Sequence, residues 1–118
     1  MESKFKFDYD NEYDILYIYN AKRDVEESIE VSEDVVLDLD KDGRINGIEI
    51  YYASEFFRIF NHLIDRNYLN NLQDAYWEYK EFRNRWFVVV ILKSNNQIIR
   101  QPMPPLRKSE YVSSLIAH

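Results

Sequence analysis

This sequence predicts an α+β fold: antiparallel β-meander hairpins packed on one amphipathic helix, with a C-terminal β extension. Three observations carry that expectation. Segments in both halves are β-rich and alternate with period two, turn-forming residues separate them, and one stretch from Ser54 repeats its apolar residues at spacings of three and four. The chain of 118 residues reads as a single domain, 1–118, with a β-meander over 1–54, a helix over 55–67, and an aromatic, basic extension with a proline-containing tail over 68–118. A chain of that length buries roughly two-thirds of its unfolded surface, enough for a self-sufficient core. It has no cysteine, which removes disulfides, cysteine zinc sites and thiol nucleophiles.

The first elements follow from alternation. Lys4-Phe5-Lys6-Phe7-Asp8-Tyr9 and Ile15-Leu16-Tyr17-Ile18-Tyr19 are strand-like, and the acidic stretch from Asp10 to Asp14 turns one into the other. Polar residues from Asn20 to Glu27 lead to a short third strand near Ser28 to Val31, and Ser32-Glu33-Asp34 punctuates again.

Residues 38–49 fill every slot of a calcium-binding EF-hand loop, with acids at loop positions one, three and five, Gly43 at six, Ile45 at eight and Glu49 at twelve. Such a loop needs an amphipathic helix on each side. The flanks here, Val31 to Leu39 and Ile45 to Tyr52, are β-branched and alternating, so a hairpin is expected instead. A two-residue type I′ turn at Asp42-Gly43 pairs Leu39 with Asn46, Leu37 with Ile48 and Val35 with Ile50. That register gathers Val35, Leu37, Leu39, Ile48 and Ile50 on one core face and sends Asp38, Asp40 and Glu49 to the other, exposed face. A slip of one residue would bury the acids, at several kcal/mol each. No metal ligands are assigned.

The run Phe7-Asp8-Tyr9-Asp10 through Asp14-Ile15-Leu16-Tyr17-Ile18, the run from Glu33 to Ile50, and Ala53-Ser54 together resemble the YuzE-like family of small prokaryotic domains of unknown function (domain of unknown function 2283). The resemblance covers the first 54 residues or so and stops near Phe56. It implies a small antiparallel meander followed by a helix. It implies no activity and no catalytic residues. Some members are encoded near toxin genes, which brings in an antitoxin-like role.

From Ala53 the texture changes. Ser54 is a candidate N-cap with Glu55 in the first turn, and Phe56, Phe57, Phe60, Leu63 and Ile64 form the apolar stripe of a helix expected to cover the sheet. His62 lies near that stripe. The only other histidine is His118, so no histidine metal site can be assembled. Residues 68–82 fit either a helix, through Leu69, Leu72, Tyr76, Tyr79 and Phe82, or a strand from Ala75 that turns at Arg83-Asn84; the strand is preferred for its aromatic content. Trp86 to Leu92 reads as a strand buried on both faces, and Ser94-Asn95-Asn96 returns it into Gln97 to Arg100. The tail Pro102-Met103-Pro104-Pro105-Leu106-Arg107 matches a polyproline II recognition pattern, yet is expected to lie along an aromatic surface of its own or of a sister subunit. Ser109 to Ile116 could add a short helix or an exchanged arm.

Charge divides the chain. Of the net −6, residues 1–55 hold 16 acids against 6 Lys or Arg, or −10, and residues 56–118 hold 5 acids against 9, or +4. Opposite halves can attract each other within one molecule or across a homodimer. Ten Tyr, seven Phe and two Trp exceed what one small core hides, which points to an interface. The function expected is a non-catalytic protein-interaction module, antitoxin-like or inhibitory in its sharpest form, with Trp77, Tyr79, Arg83, Arg85 and Arg107 as its partner-binding residues. The alternative is single-stranded nucleic-acid binding, with cations of the basic half beside Tyr76, Trp77, Tyr79 and Trp86 as stacking platforms. Nothing picks out a catalytic carboxylate pair, a nucleophile or a phosphate loop, and no cofactor is expected. The longest apolar run, Trp86 to Leu92, is too short to cross a bilayer, so no membrane partner is expected and the expected location is cytoplasmic.

Overall fold

Two antiparallel sheets share one core. The computed structural model describes residues 4–22 and 24–107. The first sheet comprises β1 (Phe5–Asp10), β2 (Ile15–Asn20), β3 (Glu27–Glu30), β4 (Val35–Leu39) and β5 (Ile45–Tyr51), in the order β1-β2-β5-β4-β3. After α1 (Ala53–Phe60) and α2 (Arg66–Asn70), the second sheet runs β6 (Leu72–Phe82), β7 (Arg85–Ser94) and β8 (Gln97–Pro102), with β9 (Leu106–Arg107) also paired to β7. The α+β class and the hairpin-built sheets are as the alternation predicts.

The inner faces are written by the period of two. Leu16 and Ile18 on β2, Leu37 on β4, and Ile48 and Ile50 on β5 are fully buried, and they join Trp77 on β6 and Trp86, Val88, Val90 and Leu92 on β7 in one cluster. The first sheet therefore closes largely on the second. The helix adds Phe57 as its one large fully buried side chain.

That helix is shorter than the expected 55–67. Asn61 leaves it in an extended conformation (φ −155°, ψ 107°), and its side chain accepts from the Leu63 N–H at 3.0 Å, a local alternative to the next helical turn. Asp65 then caps α2 by accepting from Tyr68 N–H at 2.8 Å. Ser54 is not the N-cap. That position is Tyr52, whose left-handed backbone (φ 52°) supplies no side-chain cap.

The second hairpin keeps its predicted register from Val35↔Ile50 to Asp38↔Gly47 and departs at Leu39, which pairs with Ile45. Only Gly43 is left-handed (φ 77°), so the turn is not type I′. Gly43 N–H donates to Asp40 O at 3.0 Å and Asp40 N–H to Arg44 O at 2.9 Å. This is a three-residue loop, a type I turn closed by a left-handed glycine. The Asp40 carboxylate holds it by accepting from Asp42 and Arg44 N–H, each at 2.9 Å. Asn46 becomes the bulged residue; it is buried and donates to Asp24 O at 3.0 Å. The type I′ signature occurs instead in the second sheet, where Arg83 and Asn84, and then Asn95 and Asn96, pair two left-handed residues between Phe82↔Arg85 and Ser94↔Gln97.

Residues 68–82 resolve into the end of α2 and the long strand β6. β7 is buried on both faces only in part. Trp86, Val88, Val90 and Leu92 point into the core, and on the other face Ile91 is buried and Val89 half-buried, whereas Phe87 is 41% exposed. The proline tail folds back on its own chain. Met103 N–H donates to Val88 O at 2.8 Å and Leu106 pairs with Trp86, so β8 and β9 form one edge interrupted where Pro104 and Pro105 have no N–H to donate. Ser109 to Ile116 lie outside the described residues.

Candidate interaction faces

Pairing register determines what the second sheet shows to solvent, because paired residues share a face. With Trp77, Trp86 and Val88 inward, the outward rows are Phe82-Arg85-Arg107, Lys80-Phe87, Glu78-Val89-Pro102, Tyr76-Ile91-Arg100 and Asp74-Lys93-Ile98. Phe82 and Ile98 are exposed at 61% and 65%. The Arg83 guanidinium lies 5.1 Å from the Phe82 ring centroid, close enough for a cation–π contact. Arg100 donates to Glu78 at 2.9 Å, spanning the central strand above buried Ile91, and Glu78 raises the Arg100 pKa by that bond and by its charge. The result is a sheet face on which Phe82, Phe87 and Ile98 stand exposed among five cations.

The five residues expected to bind a partner do not act as one group. Arg83, Arg85 and Arg107 gather at one corner of that face, around the β6–β7 turn and β9. Trp77 is buried at 5% exposure with its ring edge-on to Phe5 at 4.7 Å; it is a core residue, not a surface aromatic. Tyr79 also points inward and is half-buried, and its hydroxyl accepts from Ile45 N–H at 3.3 Å. Both line a cavity of about 440 Å³ at the junction of the sheets, beside Lys4, Arg44 and Asp40. Of the aromatics expected to form a stacking platform, Trp77, Trp86 and Tyr79 face inward and Tyr76 faces outward. Phe87 went unrecognised because an all-apolar strand conceals its own alternation. The polar partners on the flanking strands, Lys80 opposite Phe87 and Arg100 opposite Ile91, carry the missing signal only once register is known.

The outer face of the first sheet is different. Asp38 sits there but is buried, not exposed as expected, with both carboxylate oxygens occupied: Tyr17 donates at 2.5 Å and Ser28 at 2.7 Å. Gly47 lies against this group, where a Cβ would come within 2.8 Å of Asp38 Oδ2 and 3.2 Å of the Tyr17 hydroxyl. Tyr17 stacks on Tyr19 at 4.8 Å, and Tyr51 donates to Glu49 at 3.3 Å; burial and the neighbouring Glu49 raise the Tyr51 pKa. Around them, among the described residues of these strands, stand Asp8, Asp10 and Glu30, with Lys6 as a cation. The face is acidic and rich in tyrosine. A carboxylate already holding two hydroxyl donors is arranged for structure rather than for proton abstraction. Among the described residues, no group of three or more His, Cys, Asp or Glu is placed to hold a metal ion, and no helix is long and apolar enough to cross a membrane.

Residues 6–54 match the model of a family described as a protein of unknown function (DUF2283). No curated protein and no solved structure matches the chain. The matched segment takes in nearly all of the first sheet and the opening of α1, and the second sheet lies beyond it.

Proposed function

We propose that this chain is a cytoplasmic, non-catalytic protein-interaction module whose working surface is the outer face of the second sheet. One observation carries the reading: among the described residues, Phe82, Phe87 and Ile98 stand exposed on one sheet face with Arg85, Lys80, Lys93 and Arg107. Exposed apolar side chains interspersed with arginine are the composition of protein interfaces. Basic rims select acidic partners. An antitoxin-like or inhibitory role is the sharpest form of this reading, the face occluding a working surface on its target.

Single-stranded nucleic-acid binding by the same face is the second reading, favoured by the five cations. It has weaker support, since three of the four aromatics expected as stacking platforms, Trp77, Tyr79 and Trp86, are turned into the core. Affinity purification from native lysate, divided into nuclease-treated and untreated halves, separates the two. A protein retained near stoichiometry after nuclease treatment supports the interaction module. Recovery of nucleic acid alone, with affinity falling steeply as salt rises, overturns it in favour of the second reading.

A further inference from the structure

We propose that copies of this chain associate head to tail, the acidic, tyrosine-rich outer face of the first sheet of one copy docking on the basic outer face of the second sheet of the next. This names a partner for the face assigned above and rests on that reading. The argument begins with charge. Outward among the described residues of the first sheet's strands are Asp8, Asp10, Glu30, Glu49 and the buried Asp38, against Lys6. Outward on the second are five Lys or Arg against Asp74 and Glu78, and Glu78 is already held by Arg100. By this count the first face carries −4 of the −10 in its half of the chain, and the second +3 of the +4 in its half.

Geometry decides between attraction within a molecule and attraction between molecules. The inner faces of both sheets feed one buried cluster, so each outer face turns away from the shared core and neither can reach the other in the same copy. Complementarity is available only to a second copy. An isologous dimer would set acid against acid or base against base, and like charge across an interface is penalised. A heterologous contact sets each face against its opposite. The apolar components also match, with Ile15, Tyr17, Tyr19 and Tyr51 on one face and Tyr76, Phe87, Val89 and Ile98 on the other.

Size sets the strength. With strands about 4.8 Å apart and residues rising about 3.4 Å, the five-stranded face is roughly 20 Å on a side and the second, three strands wide, is roughly 10–15 Å by 35 Å, each below the standard protein interface. The contact is therefore weak and sensitive to salt. Because heterologous contacts repeat, it builds rings or short chains rather than stopping at two copies.

The test is sedimentation velocity on the full chain over a wide concentration range at low and high ionic strength. The result expected is a mass that rises with concentration beyond a dimer at low salt and falls back towards the monomer as salt rises. Asp8→Lys with Glu30→Lys, or Arg85→Glu with Lys93→Glu, should each abolish association; all four substitutions are at exposed positions, and thermal melts establish that each variant is folded. A wild-type chain that stays monomeric at low salt overturns the proposal, as does one that stops at a dimer or a single-face variant that associates undiminished. Loss of self-association leaves the interaction reading intact if a foreign protein is still captured from lysate through β7. Loss of that capture with self-association preserved would restrict the face to its own kind.

Discussion

The carboxylate of Asp14, at the end of the β1–β2 turn, caps α1 at Ser54, in its first turn and forty residues later. Its two oxygens accept from Ser54 N–H at 3.0 and 3.2 Å and from the Ser54 hydroxyl at 2.7 Å, and its backbone oxygen accepts from Ala53 N–H at 2.9 Å. Two of the helix's orphan donors are thereby satisfied by a residue from another element. The left-handed backbone of Asp14 (φ 56°) presents both oxygens at once, and Tyr9 donates to the same carboxylate at 2.6 Å. Arg66 lies 3.9 Å away and binds the turn through Asn11 O at 2.6 Å, so α2 is tied to the same point.

Asp14→Ala should lower unfolding free energy by about 2–3 kcal/mol, the range for hydrogen bonds to a buried charge. Asp14→Gly separates cap from backbone strain. Glycine accepts the positive φ freely but has no carboxylate, so an equal loss in both variants, measured by urea denaturation, assigns the effect to the cap. Recovery of most of the stability in the glycine variant would assign it to strain.

Alkaline stability should depend on Tyr9. Burial and the hydrogen bond to Asp14 raise its pKa well above the ordinary value of 10.0. The folded state holds that proton more tightly than the unfolded chain. The contribution is complete below the unfolded pKa of about 10 and is lost as pH rises from there towards the folded value. Tyr9→Phe, which has no proton to lose, should flatten the decline in melting temperature above that pH. Following tyrosinate absorbance alongside the melts checks that Tyr9 ionises late.

The two glycines should respond differently to alanine. Gly43→Ala meets nothing within 4 Å and costs only the left-handed backbone, about 1 kcal/mol. Gly47→Ala drives a methyl group into Asp38 and Tyr17, a clash in a packed site worth about 1–3 kcal/mol. Calorimetric melts of the pair should rank Gly47→Ala as the more damaging; the opposite order would contradict the packing around Asp38.

Core and surface aromatics in adjacent elements also separate. Trp77→Ala opens the junction of the sheets and should cost about 3–5 kcal/mol. Phe87→Ser, on the outer face, should change stability by no more than about 0.5 kcal/mol. Denaturant titration of both variants tests the inward assignment of Trp77 directly.

Much of the fold was legible, and the failures have physical causes. The β1–β2 and β4–β5 hairpins were readable because acids and aliphatics alternate, and a slipped register would bury charge. The loop at Asp40 was misread because Asp-Gly suits a type I′ turn as well as a type I turn with a bulge, and the choice turns on Asp40 reaching forward to its own loop. The cap from Asp14 was invisible because a contact across forty residues leaves no local pattern. Arg85 and Arg107 were identified as surface residues, whereas Trp77 was misplaced, since in an aromatic-rich strand composition alone does not say which parity faces the core.

The central claim is that the outer face of β6–β8 is the working surface. Its most direct test is capture from native, nuclease-treated lysate with the wild-type chain and with Phe87→Ser/Arg85→Glu side by side, after melts establish equal folding. The account predicts a stoichiometric protein, or further copies of the chain itself, on the wild type and its loss from the variant. Equal capture by both would place the interaction elsewhere and contradict the claim.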